Sequence, residues 1–296
     1  MNHGRWWLLV FLGLPVTSSA QDPHIQRLGQ ELHSSDAGIR RQAAIALGRV
    51  SFPQSALLLR QALPQERDVA IRLEIVRGLR NIVFMRYPGY PEALIGLGEA
   101  AGSGVEPDEL VRLRATEALW EAAEKDLLDP IPFLRRNLAD TGQRLRLSAV
   151  AMLRKLGTPR TVDPLGEAAL DPTQPEAVRL AAVKALGAVS LADPGPAGQA
   201  VVRANLRTTA LLGLPALQDS ASLEQRHARQ IAYLAQLARD PASNATLTLQ
   251  AVRSIGQVKH KSAIPVLREL AASHRDPAIR KQATRVLSHV LARQYE

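Results

Sequence analysis

Cysteine is absent from all 296 residues, which excludes disulfides, thiolate nucleophiles, cysteine-ligated metals and a lipoprotein-type anchor. Aromatic residues make up only 4% of the chain, so its apolar layer has to be built from aliphatic side chains, chiefly alanine and leucine. No apolar run reaches the roughly 20 residues that a membrane-spanning helix needs. Glycines are scattered singly, so there is no phosphate-cradling loop, and neither a His-Glu-x-x-His metal motif nor a nucleophile elbow occurs. None of the seven histidines is paired with another at a one-turn spacing. Glu117 and Glu121 do lie one turn apart, a pattern that reads as a solvated helix face, because catalytic carboxylates need a cleft and a perturbed pKa. No catalytic residue, cofactor site or metal site is expected.

What the chain does have is a phrase that returns. Asp36, Ile39-Arg40, Ala43 and Ala46-Leu47-Gly48 come back as Asp68, Ile71-Arg72, Ile75 and Gly78-Leu79, then as Asp108, Val111-Arg112, Ala115 and Ala118-Leu119. Further copies start at Leu145-Arg146, Val178-Arg179, Leu247-Thr248 and Ile279-Arg280. The aliphatic anchors are spaced by 32, 40, 34, 33, 69 and 32 residues. The 69-residue interval is close to two periods and holds a worn copy at Leu206-Arg207, Ala210 and Gly213-Leu214. A fixed period of this length marks supersecondary units that bury their apolar faces only against their neighbours.

Each phrase has helical grammar, with apolar residues three and four apart, as in Ile279, Ala283, Val286, Leu287 and Val290. Asp171-Pro172, Asp240-Pro241 and Asp276-Pro277 place a capping carboxylate before a proline suited to a first helical turn. A second apolar-periodic segment precedes the phrase: Ala56 to Leu63, Ala93 to Ala101, Ile131 to Leu138, Val162 to Leu170, Gln230 to Ala238 and Ile264 to Ala271. Each unit is therefore a pair of antiparallel helices.

A paired-helix unit of this length, with Asp ahead of Val/Ile-Arg-x-x-Ala-x-x-Ala-Leu-Gly on its second helix, resembles the HEAT repeat in its short bacterial form. The resemblance covers nearly all of the chain after residue 24. Tetratricopeptide repeats share the period, but their Trp, Leu-Gly, Tyr and Pro signature is missing. It implies an all-α, right-handed α-solenoid of about seven to eight helical hairpins. It leaves function open, because HEAT-like arrays serve as scaffolds, as pigment-attachment lyases and as DNA-repair glycosylases. It also implies that the Asp and Arg of the phrase pair along the stack: Asp36 and Arg40, Asp68 and Arg72, Asp108 and Arg112, Asp140 and Arg146, Asp171 and Arg179, Asp276 and Arg280. On that reading the ladder is structural; the competing one is a rail gripping phosphates or acidic peptides. Thr248 breaks the ladder, and a continuous rail would tolerate that less well.

Residues 1–20 read as a secretory signal peptide: Arg5, an apolar run from Trp6 to Val16, a small-residue exit through Ser19 and Ala20, and cleavage after Ala20. Residues 21–189 form an N-terminal array, 190–222 an irregular stretch around Asp193-Pro194-Gly195-Pro196 and the worn copy, and 223–296 a C-terminal array. The middle stretch reads as a hinge or bend dividing five units from the last two. The formal charge of +9 is concentrated at the end: residues 253–296 hold nine basic and three acidic residues.

Two departures from the phrase are candidate partner-binding sites. One is the aromatic insertion holding Phe84, Arg86, Tyr87 and Tyr90, either exposed anchors for a partner or a seal between the second and third units. The other is the basic end, with Lys259, Lys261, Arg275, Lys281 and Arg285, which would draw anionic partners over a Debye length or simply solvate a capping unit. The expected function is an exported, non-enzymatic scaffold that binds another protein. The alternatives are a module on anionic lipid or polysaccharide surfaces and, against the export signal, a HEAT-like lyase or glycosylase. Nucleic acid is not an expected partner, and no transmembrane segment is expected after signal cleavage.

Overall fold

The computed structural model describes residues 22–189 and 222–292. Among these, every regular element is helical, and fourteen α-helices pair into seven hairpins. They are α1 Pro23–Glu31 with α2 Ala37–Leu47, α3 Pro53–Ala62 with α4 Val69–Phe84, α5 Tyr90–Ala100 with α6 Glu109–Glu124, and α7 Ile131–Leu138 with α8 Gln143–Leu156. There follow α9 Val162–Leu170 with α10 Glu176–Ala188, α11 Leu223–Arg239 with α12 Ala245–Gln257, and α13 Ala263–Ser273 with α14 Pro277–Ala292. The second helices of successive hairpins, α2 through α14, pack side by side as one layer, and the first helices form the other. The fold is an α-solenoid.

The layer is built by the phrase. Its aliphatic anchor, the residue four on and the residue eight on form a single stripe one turn apart: Ile71, Ile75 and Leu79; Val111, Ala115 and Leu119; Leu145, Ala149 and Leu153; Val178, Ala182 and Leu186; Leu247, Ala251 and Ile255. All of these are buried. Only the ends of the array depart from this. With no described unit before it, the first anchor, Ile39, is 44% exposed, and Leu287 in the last unit is half-buried. Such a stripe folds because stacking removes it from water at about 25 cal/mol per Å² of apolar surface, not because an isolated helix of this length is stable.

Helix starts follow local chemistry. The Asp36 carboxylate accepts from the Gly38 and Ile39 amides, Asp68 from Ala70, and Asp108 from Leu110 and Val111, each satisfying amides that the first turn leaves orphaned. Asp276 before Pro277 does the same for α14. Asp171 and Asp240 do not. Their helices begin five residues later, at Glu176 and Ala245, and the two carboxylates instead close turns by accepting from the Thr173 and Ala242 amides. Asn244 takes over as the cap of α12.

The stretch read as a hinge or bend, 190–222, lies almost wholly outside the described residues, but the helices on either side of it are in contact. α11 packs directly on α9, and α12 on α10. Arg229 and the Tyr233 hydroxyl both reach Asp163 on α9, at 2.8 and 3.2 Å. Gln230 donates to the Leu186 carbonyl and Ser254 to that of Val183. The Tyr233 ring lies over Gly166, where a Cβ would overlap it. Burial, and then the Asp163 charge and hydrogen bond, push the Tyr233 phenol up to about 12. The fifth hairpin and the one formed by α11 and α12 are therefore direct neighbours. The worn copy at Leu206 to Leu214 lies outside the described residues, as does the signal-peptide reading of residues 1–20.

The glycine that ends the phrase has a packing reason. A Cβ on Gly48 would overlap the Cα of Gly78, so α2 and α4 cross backbone to backbone, and the Asn81 amide donates to the Gly48 carbonyl at 2.6 Å. Gly48 is helical at φ −70°, so alanine is conformationally tolerated there and only the contact is at issue. Gly48→Ala is expected to lose about 1–3 kcal/mol, read as a lowered urea midpoint. Gly104→Ala, with nothing within 4 Å of the added carbon, is expected to change stability by less than about 0.5 kcal/mol.

Candidate functional site: an arginine spine and the exposed helix face

The arginine of the phrase sits one turn into each second helix except α12, where Thr248 stands, and points at the loop that precedes it. Arg40 donates through Nη1 to the carbonyls of Ser34 and Ser35, Arg72 to those of Glu66 and Arg67, Arg112 to those of Glu106 and Pro107, and Arg280 to those of His274 and Arg275. The same six-and-five spacing recurs because the loop turns the same way each time. In the first units the rest of the guanidinium crosses to the next hairpin. Arg40 meets Glu66 at 2.7 Å, Arg72 lies 3.2 Å from Glu106, and Arg112 grips both oxygens of Asp140 at 2.8 and 3.0 Å. The Arg72 contact is close but not aligned for a hydrogen bond from Nε. Arg146 finds an amide, Gln174 Oε1, at 3.0 Å.

The spine therefore pairs differently from the sequence expectation. The capping aspartates Asp36, Asp68 and Asp108 are occupied by helix N-termini, and the acid that meets the arginine stands two residues before the next cap. Glu66 and Glu106 also accept the amides of Asp68 and Asp108, and Asp140 accepts that of Gly142. One carboxylate thus folds its own loop and holds the preceding unit. Asp140 pairs with Arg112 of the unit before it, while its own Arg146 takes only its carbonyl. Asp171 and Asp276 do not touch Arg179 or Arg280; among the described residues those two arginines are bonded only to backbone carbonyls. Glu66, Glu106 and Gln174 were missed from sequence, although the Glu-x-Asp spacing shared by the first two was a readable signal.

These donors are spent on the stack. Arg112 and Asp140 are each 3% exposed, a pairing whose value lies mainly in the cost of breaking it, because a lone charge would be left buried. Burial pushes the Glu66 carboxyl up, but the hydrogen bonds from Arg40 and from the Asp68 amide outweigh it and hold that carboxyl below its ordinary range.

Beside the spine, the end of α5, the following loop and α7 leave a cavity of about 310 Å³ lined by Gly98, Gly102, Val105, Arg136 and Asn137. Arg136 donates to the Gly98 carbonyl, and burial pushes its guanidinium down against the Asp140 charge that pushes it up. Two carboxylates also line it, and both are engaged elsewhere, Asp140 with Arg112 and Glu99 with Arg60.

The aromatic insertion divides. Tyr87 and Tyr90 fold onto the core, closing the junction between the second and third units. Phe84 stays 46% exposed and Met85 51% exposed, with the Lys125 ammonium 3.3 Å from the Phe84 ring centroid. Arg86, in the left-handed region at φ 52°, is exposed beside them. The five basic residues divide as well. Lys259 and Lys261 lie in the loop between α12 and α13, Arg275 lies in the loop between α13 and α14 at the opposite edge, and Lys281 and Arg285 lie on α14. Lys261 is 3.5 Å from Glu224, and Arg275 donates to the Pro241 carbonyl. They do not form one patch. Among the described residues, no group of three or more His, Asp or Glu side chains could hold a metal, and no helix is long and apolar enough to cross a membrane.

Against this geometry, the family comparison is direct. The model for HEAT repeats matches residues 25–107, 96–187 and 231–293, and the chain belongs to the HEAT-repeat family. Among solved structures it is similar to human deoxyhypusine hydroxylase in complex with glycerol, at 18% identity over 90% of this chain and 96% of that one, with a TM-score of 0.34. It is also similar to computationally designed armadillo repeat proteins for modular peptide recognition, at 16% identity over 89% of this chain and 98% of that one, with a TM-score of 0.27. No curated protein matches the chain.

The depressed Glu66 carboxyl gives a signed expectation. Its contribution to stability is complete above the ordinary value of 4.5 and is lost as pH falls through the lower folded-state value. Glu66→Gln should therefore be less stable than the native chain at neutral pH, and the gap should close in acid. Urea midpoints at several pH values measure it, and a gap that persists unchanged in acid contradicts the pairing.

Proposed function

We propose that this protein is an exported, non-enzymatic HEAT-repeat scaffold that binds another protein through the exposed face of its second helices. The observation that carries this is the division of labour among its polar groups. The spine arginines, their acids and the capping aspartates are bound within the stack, whereas the exposed face of the second-helix layer carries charged side chains across all seven units. An extended layer of this kind suits a partner that lies along it. Arginine, alanine and glycine in fixed register build the surface.

Export rests on the composition of residues 1–20. Binding to anionic envelope surfaces through the basic end is the weaker reading, because Lys259 and Lys261 lie at one edge of the array and Arg275 at the other, more than one helix length apart.

Expression of the full chain in a bacterium, followed by fractionation and intact mass, should recover a species lacking residues 1–20 outside the cytoplasm. An uncleaved cytoplasmic chain contradicts export. The mature protein, incubated with envelope extract, should elute from size exclusion as a complex with one protein in fixed stoichiometry. Elution only as free protein, or only with lipid or polysaccharide, contradicts the scaffold.

A further inference from the structure

The charges on the second-helix layer are distributed unevenly. In the first units they neutralise one another: Arg41 and Arg77 meet Glu74, Arg114 meets Glu117, Arg80 meets Glu121, and Lys155 meets Glu124. From α8 onward the second helices are almost without carboxylates. Across α10, α12 and α14 the only acidic residue is Glu176, at the start of α10. Counting five residues on from the phrase positions Arg179, Thr248 and Arg280 gives Lys184, Arg253 and Arg285. All three are exposed, they stand at one register on three helices that pack side by side, and none has an ion-pair partner among the described residues. Lys281, one turn before Arg285, is exposed too.

We propose that this column binds an extended acidic segment of a partner protein that crosses α10, α12 and α14 with carboxylates three residues apart. The spacing follows from geometry. Packed helices lie about 8–10 Å apart, and a segment in the extended polyproline-II conformation, with three residues per turn and about 3.1 Å of rise per residue, places every third side chain on one face about 9.3 Å further on, so that each meets the next helix. Acids at the first, fourth and seventh positions face Lys184, Arg253 and Arg285 in turn. The chain's own residues 190–221 hold only Asp193 and Asp219, too far apart to supply that series, so the occupant is another molecule. The arginines of the spine cannot compete for it, since they are turned into the loops. This inference rests on the scaffold reading and adds the chemistry of its partner.

Two labelled nonapeptides of identical composition test it by fluorescence anisotropy with the mature protein. One carries aspartate at positions one, four and seven, the other at one, two and three. The spaced peptide is expected to bind about tenfold more tightly at about 50 mM salt, each exposed pair adding a small factor. The triple variant Lys184→Gln/Arg253→Gln/Arg285→Gln should lose that preference while keeping its helical spectrum and urea midpoint. The control Arg77→Gln/Arg114→Gln should retain it. Equal binding of the two peptides overturns the register, and a preference kept by the triple variant overturns the site. Capture of anionic phospholipid vesicles in place of the spaced peptide, abolished in the triple variant, overturns the peptide occupant. A triple variant that still forms the stoichiometric envelope complex removes this inference and leaves the scaffold standing, whereas absence of any complex with the native protein removes the scaffold itself.

Discussion

Each hairpin in this chain can bury its apolar stripe only against the next, and the contact that fixes one hairpin to another in the first half of the array is a guanidinium. Arg40, Arg72, Arg112 and Arg146 each tie down the loop of their own unit and reach the loop of the following one. A flat fork with five donors suits this task, whereas a lysine ammonium would serve one end and leave the other unsatisfied. Because each acid also closes the turn into its own helix, loop geometry and stacking geometry are set by the same few atoms.

The array changes its fastening partway along. After Arg112 the spine's carboxylate partners stop, and Thr248 in the sixth unit merely folds back on the Asn244 carbonyl. Contacts between helix backbones and small side chains take over. Ser254 donates to α10, Gln230 donates to the end of α10, and Gly187 and Gly256 leave no room for a Cβ against the neighbouring helix. Ion pairs between units continue in the first-helix layer, Arg135 with Glu167, Arg229 with Asp163 and Arg239 with Glu269.

The architecture was legible because it depends on period, and the period survives in Ile71, Ile75, Leu79 and their counterparts whatever the intervening residues do. The hairpins, the seven clear units and the segments at Ile131 to Leu138 and Val162 to Leu170 could be read directly. The spine partners could not. Nearness in sequence favoured Asp36, Asp68 and Asp108, but a carboxylate bound to two orphaned amides has little left to offer a cation, and the true partners lie 26 to 34 residues downstream in the next loop. The long interval over residues 190–222 signals extra chain, and says nothing about whether the helices on either side touch. Tyr233 over Gly166 decides that, and it is a contact between residues far apart in the sequence. The basic end looked like one patch because its residues are sequential, yet a hairpin sends its two loops to opposite edges.

The central claim is that the stack is fastened from each arginine forward to the acid of the next unit, and a pair of double-mutant cycles tests it most directly. Arg112→Met is combined with Asp140→Leu in one cycle and with Asp108→Ala in the other, with urea unfolding as the readout. Coupling of about 2 kcal/mol or more between Arg112 and Asp140, with coupling near zero between Arg112 and Asp108, is the expected result for a buried pair and a separate cap. Equal coupling in the two cycles, or none in the first, would contradict the account.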